Sequence, residues 1–396
     1  MTHWTRSLLY LLFAFFLCNT SLVAQESAEE RIKDIKGPGG YNITAFDRDS
    51  KTGFGGYFDT EIISKQTSSG REVNFRAHRL VLEASARLNP KILFNSEIEF
   101  EYGANTDNHG ELKIEQAWVD FEINESFIQR TGIVVIPFGR QNILHDSDVR
   151  DLTSKGIYSY YIVPSTWYDT GLGAHGLFDL GDWEMNYEVY LINGLGNYDK
   201  EDGTERLASN SKGIRDIKAN YNMKADNNND KAIVGRLGGS PMLGVELGAS
   251  FYNGKYDDDG QFGINMFGLD ALWKKGPYEV LGEWAQIKLD DDGIASTPEN
   301  MNGYFVEARY HVTGDWLKDS VIGQGFDSPV VTLVARYSEV DTNTAVTDRY
   351  DISQTTLGIN YRPVASLVYK LEYEMNSEKT NEVDNNQIIA SVALGF

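Results

Sequence analysis

Glu97, Glu99 and Glu101 occupy every second position of one short stretch. Glu307, Arg309 and His311, and then Lys370, Glu372 and Glu374, repeat that spacing elsewhere. Carboxylates and bases spaced in this way could line a water-filled interior and set up a field for a passing ion. Each use needs a backbone that puts residues i and i+2 on one side, which an extended strand does. More specific chemistry is missing. The six histidines (His3, His78, His109, His145, His175 and His311) lack the spacing of a metal-binding helix, so no metal site and no cofactor is expected. The runs Asp257-Asp258-Asp259-Gly260 and Asp290-Asp291-Asp292-Gly293 carry Lys255 and Lys288 where a calcium loop needs its first carboxylate. Gly194-Leu195-Gly196 has no strand–turn–helix context for a nucleotide. No G-x-S-x-G element is present, and Ser165, Ser328 and the scattered histidines suggest no nucleophile, so no catalytic residue is expected.

The elements that must position these charges are strands. Alternating segments recur at 53–64, 74–89, 91–104, 112–123, 127–139, 168–180, 183–195, 231–241, 244–256, 264–275, 278–289, 301–314, 330–341, 350–363, 366–378 and 386–396. Their number is even, about sixteen, and most are near the ~9–11 residues that a tilted membrane-spanning strand needs. Parity separates the two faces. Leu80, Leu82, Ala84, Ala86 and Leu88 oppose Arg79, Glu83 and Arg87. Ile92, Phe94, Ile98 and Phe100 oppose Asn95, Glu97, Glu99 and Glu101, while Leu367, Tyr369, Leu371 and Tyr373 oppose Lys370, Glu372 and Glu374. A charge on a lipid face costs ~2–4 kcal/mol at mid-bilayer, so such segregation is what a membrane would select.

The connections alternate in length. Asn89-Pro90, Asn124-Glu125-Ser126, Gly181-Asp182, Pro241-Met242-Leu243, Gly276-Pro277 and Val364-Ala365 are tight, whereas 65–73, 105–111, 140–167, 196–230, 257–263, 290–300, 342–349 and 379–385 are longer. One connection, 315–329, falls where a tight turn belongs and is long. Tight turns on one rim and loops on the other imply an all-β chain: a transmembrane antiparallel β-barrel of about 16 strands spanning 53–396. Arg6 followed by the apolar run Leu8–Leu17 and then small residues reads as a cleavable leader, 1–24, with residues 25–52 a polar N-terminal periplasmic extension. Cys18, the one cysteine, would leave with the leader, so no disulfide or thiol chemistry is expected. The net charge of −22 argues against nucleic acid as a partner. The last strand carries Ile388, Ala390, Val392, Leu394 and Phe396 on one parity, which places Phe396 at a membrane interface. A barrel this wide, lined with charges, would hold water and act as a pore.

The block Leu112-Lys113-Ile114-Glu115-Gln116-Ala117-Trp118-Val119-Asp120-Phe121, then Gln129-Arg130-Thr131-Gly132-Ile133-Val134-Val135-Ile136-Pro137-Phe138-Gly139, resembles the phosphate-selective porin O/P family. The resemblance implies a sixteen-stranded outer-membrane porin, usually a homotrimer, carrying small anions or other small solutes. It also implies that the third long loop, 140–167, folds inward as a constriction. Arg140, Asp146, Asp148, Arg150, Asp151 and Lys155 are then the constriction candidates, and Phe396 looks like the signal read by the barrel-assembly machinery. Outer-membrane lipid and lipopolysaccharide would surround the wall. The candidates for lumen selectivity are Arg79, Arg87, Arg309, Arg336, Arg362 and Lys370. The last four lie on four successive segments and could form a basic wall facing the loop's aspartates. Glu83, Glu97, Glu99, Glu184, Glu188, Glu246, Glu283, Glu307 and Glu372 match or outnumber them, and the same charges could simply pair with neighbours. The alternatives to a diffusion porin are a non-conducting structural or adhesive surface barrel and, with less support, a barrel hydrolase.

Overall fold

The computed structural model describes residues 52–104, 110–196, 212–215, 217, 226–293 and 297–396. The leader at 1–24, the extension at 25–52 apart from Thr52, and most of 196–225 lie outside the described residues.

Sixteen antiparallel strands close into one barrel in which sequence neighbours pair throughout. They are β1 (Thr52–Thr67), β2 (Gly70–Asn89), β3 (Ile92–Glu101), β4 (Glu111–Asn124), β5 (Phe127–Val135), β6 (Tyr168–Leu180), β7 (Trp183–Ile192) and β8 (Ala232–Met242). The second half comprises β9 (Val245–Lys255), β10 (Gly263–Lys275), β11 (Tyr278–Leu289), β12 (Asn300–Val312), β13 (Val330–Asp341), β14 (Asp351–Val364), β15 (Leu367–Glu378) and β16 (Gln387–Gly395). Closure is required because lipid offers the backbone no hydrogen-bond partner. It is made by β1 on β16, from Tyr57↔Gly395 to Lys65↔Gln387. Beyond the strand end, Phe396 N donates to Gly56 O (2.9 Å) and Gly56 N donates to Phe396 O (3.1 Å). Gly56 has φ +152°, and a Cβ there would stand 2.0 Å from Val81 O, so the seam admits no side chain at this position.

The parity expected from the sequence is the parity of the wall. Leu80, Phe267, Leu269, Leu357, Leu371 and Leu394 face outward and are exposed, while Glu83, Glu97, Asp270, Thr356, Glu372 and Ser391 are buried inside. Phe396 is 53% exposed on the outer face.

One connection differs from expectation. The segment 65–73 is not a long loop. β1 and β2 run on past the rim and meet at a two-residue turn, Ser68-Ser69, with Thr67 paired to Gly70. Its polar, charged sequence suits a hairpin standing in water, which looks like a loop when only membrane-length strands are sought. The 313–329 connection on the short-turn rim contains a one-turn helix, α3 (Asp315–Lys318), and folds against the outer wall, where the Tyr361 hydroxyl donates to the Ile322 carbonyl.

An outward position tests the wall directly. Leu357→Arg should cost ~2–4 kcal/mol of folding stability in liposomes, seen as a lower urea midpoint. An unchanged midpoint would mean that this face does not meet lipid.

Candidate pore constriction

The chain enters the barrel directly after β5. Ile136 N donates to Trp167 O (2.9 Å), joining the two ends of the segment 136–167. Asn142, fully buried, ties this neck. Its Nδ2 donates to Ile136 O (2.8 Å) and Trp167 O (3.0 Å), and its Oδ1 accepts Trp167 N–H (2.9 Å). Gly139, at φ +71°, makes the inward turn, and a Cβ there would lie 2.4 Å from Glu283 Oε2. Two single-turn helices follow along the loop, α1 (Arg140–Ile143) and α2 (Tyr158–Tyr161).

The interior is divided. In one sector Ile136, Phe138, Ile157, Tyr158, Ile162, Val163 and Trp167 of the loop pack on inward residues of β7–β12, among them Tyr190, Val234, Tyr252, Ile264, Ile287 and Phe305. Ile214 and Ile217 join the same cluster. The expectation of charged walls all round is corrected here. These strands turn apolar residues inward because the loop covers them and removes them from water.

The other sector is ionic, and there the loop's backbone is held by wall cations. Arg362 (β14) donates to the carbonyls of Asp148 (2.7 Å), Val149 (3.3 Å) and Arg150 (3.2 Å), and lies 3.5 Å from an Asp151 carboxylate oxygen. Lys370 (β15) donates to the carbonyls of Ser147 (2.5 Å) and Leu152 (3.4 Å). Arg336 (β13) donates to Ser154 O (2.9 Å). Glu372 accepts the N–H groups of Thr153 (2.7 Å) and Ser154 (2.8 Å). Charge-assisted bonds of this kind, shielded from water, contribute about 1.5–3 kcal/mol each. Arg309 (β12) bridges Glu279 (2.7 Å), Glu307 (2.7 Å) and Asp151 (3.3 Å).

The remaining sequence candidates fall elsewhere. Arg79 faces a different sector, ion-paired with Glu99 (2.8 Å) and Glu101 (3.3 Å). Arg87 is half-exposed at the short-turn rim, 4.0 Å from Glu122, so it takes no part in the constriction. Within the loop, Arg150 folds back to donate to Thr153 O (2.5 Å) and His145 O (2.9 Å). Lys155 donates to Thr166 Oγ1 (2.9 Å). Arg140 reaches across to Glu246 of β9. Asp146 lies beside His145 (3.5 Å) and Asp148 approaches Gly395.

Between the loop and β11–β13 lies a cavity of about 80 Å³. Its charged lining is Arg140, Arg150, Arg309 and Arg336 against Asp151 and Glu307, four guanidinium groups to two carboxylates. That volume holds several waters or one small oxyanion.

Sequence reasoning missed one network. Asp120 and Arg130 are directly paired across the β4–β5 turn and make a bidentate bridge (2.7 and 2.8 Å). His175 Nε2 lies 3.1 Å from Asp120, and the Arg130 guanidinium covers the Trp118 ring at 3.7 Å. The available signal was that pairing, an acid and a base each four residues from the tight turn Asn124-Glu125-Ser126.

A closed sixteen-stranded barrel with an apolar outer wall and an ion-lined interior entered by the segment 136–167 has the architecture of an outer-membrane channel. The family described as "Phosphate-selective porin O and P" matches residues 54–394, and the chain belongs to it. An uncharacterized protein of Aquifex aeolicus is 24% identical over 369 residues, 86% of this chain and 79% of that protein. Porin O of Pseudomonas aeruginosa is 28% identical over 116 residues, 29% of this chain and 23% of that one. The fold is shared with an anion-selective porin from Comamonas acidovorans (13% identity, TM-score 0.55, covering 87% of this chain and 99% of that one). It is also shared with the trimer form of OmpT from Vibrio cholerae (11% identity, TM-score 0.52, with the same coverages).

Replacing Arg362 by Met leaves the carbonyls of residues 148–150 without their donor. Breaking a buried pair of this kind costs about 3–5 kcal/mol. Protease added to the folded barrel should cut between 146 and 153 much faster in the variant than in the parent. Equal rates would mean that the clamp does not hold the loop.

Proposed function

We propose that this porin passes small hydrophilic solutes by diffusion between its inward loop and the wall β11–β13, with a preference for small anions, inorganic phosphate among them. The observation that carries this reading is the lining of that gap, four guanidinium groups against two carboxylates. Arg309 is directly paired with Glu279, and Arg336 with Glu307, which fixes both side chains at the passage. In a narrow gap with low-dielectric walls, guanidinium groups that outnumber the carboxylates of the lining raise the local concentration of anions, with Glu246 and Glu279 outside the lining as partners of Arg140 and Arg309. Arg362 and Lys370 spend their donors on loop carbonyls, so in this reading they set the width of the passage and do not touch the solute. The porin acts as a homotrimer, as the Vibrio cholerae protein of the same fold does in its trimer form. Export uses the leader at 1–24, and the strand ending at Phe396 is what the assembly machinery reads.

Reversal potentials in a salt gradient across planar bilayers test the preference. The parent should reverse on the anion side. Arg140→Gln with Arg336→Gln, which leaves two guanidinium groups against two carboxylates, should move the potential close to zero and lower phosphate block of chloride current several-fold. Cation preference in the parent overturns the reading, and silence in the bilayer would favour a structural barrel.

A further inference from the structure

Away from the basic wall, Glu97 of β3, Glu115 of β4 and His145 of the loop bring one ligand atom each within 4.8 Å of one another. Asp146 adds a carboxylate oxygen 3.5 Å from His145 Nε2. All four are buried, with exposures of 1% for Glu97 and His145, 2% for Glu115 and 3% for Asp146.

Glu115 reaches this place through a break in the strand pattern. Pairing of β3 with β4 runs Glu97↔Gln116 and then Ile98↔Ile114, which leaves Glu115 as the extra residue of a β-bulge. Without the bulge, Glu115 and Gln116 would face opposite sides; with it both are buried inside. Bulges that re-aim one side chain occur next to functional sites. Gln116 then donates to Glu97 Oε2 (2.5 Å) and accepts from Trp118 Nε1 (3.2 Å), so Glu97 is oriented by a second layer of hydrogen bonds.

The histidine supplies an independent observation. His145 Nδ1 lies 2.7 Å from the Asn142 carbonyl oxygen. A carbonyl can only accept, so Nδ1 carries the hydrogen and Nε2 is the atom turned toward the acids. Nε2 stands 3.3 Å from Glu115 Oε2 and 3.5 Å from Asp146 Oδ1. A proton on Nε2 or a cation bound there would each serve the two carboxylate oxygens that face it. Both separations lie above the usual ~2.7–3.2 Å of an N–H···O hydrogen bond, the 3.3 Å contact to Glu115 still within hydrogen-bond reach. Ligand atoms sharing a metal at about 2.0–2.2 Å stand about 3–3.5 Å apart, and metal-ligating histidines characteristically give their other N–H to a carbonyl.

The nearby group Asp59, Glu61 and His78 provides the contrast. His78 Nδ1 is 2.9 Å from Asp59 and 3.2 Å from Glu61, but its Nε2 faces Arg79 Nη2 at 3.2 Å. The guanidinium can only donate, so there Nδ1 bears the proton and the acids are already served.

We infer that Glu97, Glu115, His145 and Asp146 form a site for one divalent transition-metal cation, of the zinc or manganese class, that pins the constriction loop to β3–β4. One imidazole with several carboxylates suits these borderline ions. The wall would then hold the loop at two places, by cations on β13–β15 and by this ion at β3–β4.

The test uses the full-length porin, folded in detergent and stripped with a chelator. Zn²⁺ is titrated by calorimetry, with metal analysis after desalting, and Mn²⁺ is run in parallel. The parent should bind one ion per chain with at least micromolar affinity, and the ion should raise the temperature at which the heat-modifiable band is lost. His145→Gln and Glu115→Gln should abolish both effects. Gln116→Leu, which disturbs only the outer layer and keeps every ligand, should weaken binding by ~10–100-fold. Absence of binding in the parent, equal binding in His145→Gln, or loss of binding on His78→Gln instead would each overturn the assignment. The heat-modifiable band of each variant before metal is added shows whether it has folded.

Discussion

Lipid gives the backbone no hydrogen-bond partner, and every other feature of this barrel follows from that constraint. The sheet must close, so β1 meets β16 and the seam continues through Gly56 and Phe396. A closed sheet in a membrane has only two faces for its side chains, so polar residues collect inside. Charges collected inside must in turn be paired or hydrated. The inward loop meets part of that need. Its carbonyls at 147–150, 152 and 154 accept from Lys370, Arg362 and Arg336, while Glu372 accepts its amides at 153 and 154.

The division of the interior explains how one loop can be fixed and still leave a passage. Aromatic and branched residues of 136–138 and 157–167 are covered by inward apolar residues of β7–β12, which anchors both ends of the loop by burial. The middle, 145–155, is held by ionic hydrogen bonds to β12–β16. Between these two supports a cavity remains toward β11–β13, lined by the guanidinium groups of Arg140, Arg150, Arg309 and Arg336. A chain whose overall charge is −22 thus lines this gap with four guanidinium groups and two carboxylates.

Much of the barrel was legible because period-two alternation survives wherever lipid lies on one side. All sixteen strands were found, with boundaries within a few residues for most. The hairpin around Ser68-Ser69 was missed because above the membrane no apolar row marks its strands. The basic residues of β12–β15 could be placed on one wall, but their task could not be read. Arg362 and Asp148 are 214 positions apart, and no local pattern records that a backbone carbonyl will meet a guanidinium. Glu115 was illegible for a different reason. Parity counting assumes an unbroken strand, and one bulged residue changes which face it joins.

The central claim is that the middle of the loop is fastened to the wall. Thr153 Oγ1 and Ser391 Oγ are 2.6 Å apart, one on the loop and the other on β16. With both changed to cysteine and Cys18 changed to serine, an existing contact should oxidise to a disulfide in high yield, since bridged Cβ atoms stand about 3.5–4.5 Å apart. The account predicts that single-channel conductance is then the same in the oxidised and reduced barrels, because the bond only fixes a position the loop already holds. Failure to form the bond, or a marked fall in conductance when it forms, would contradict it.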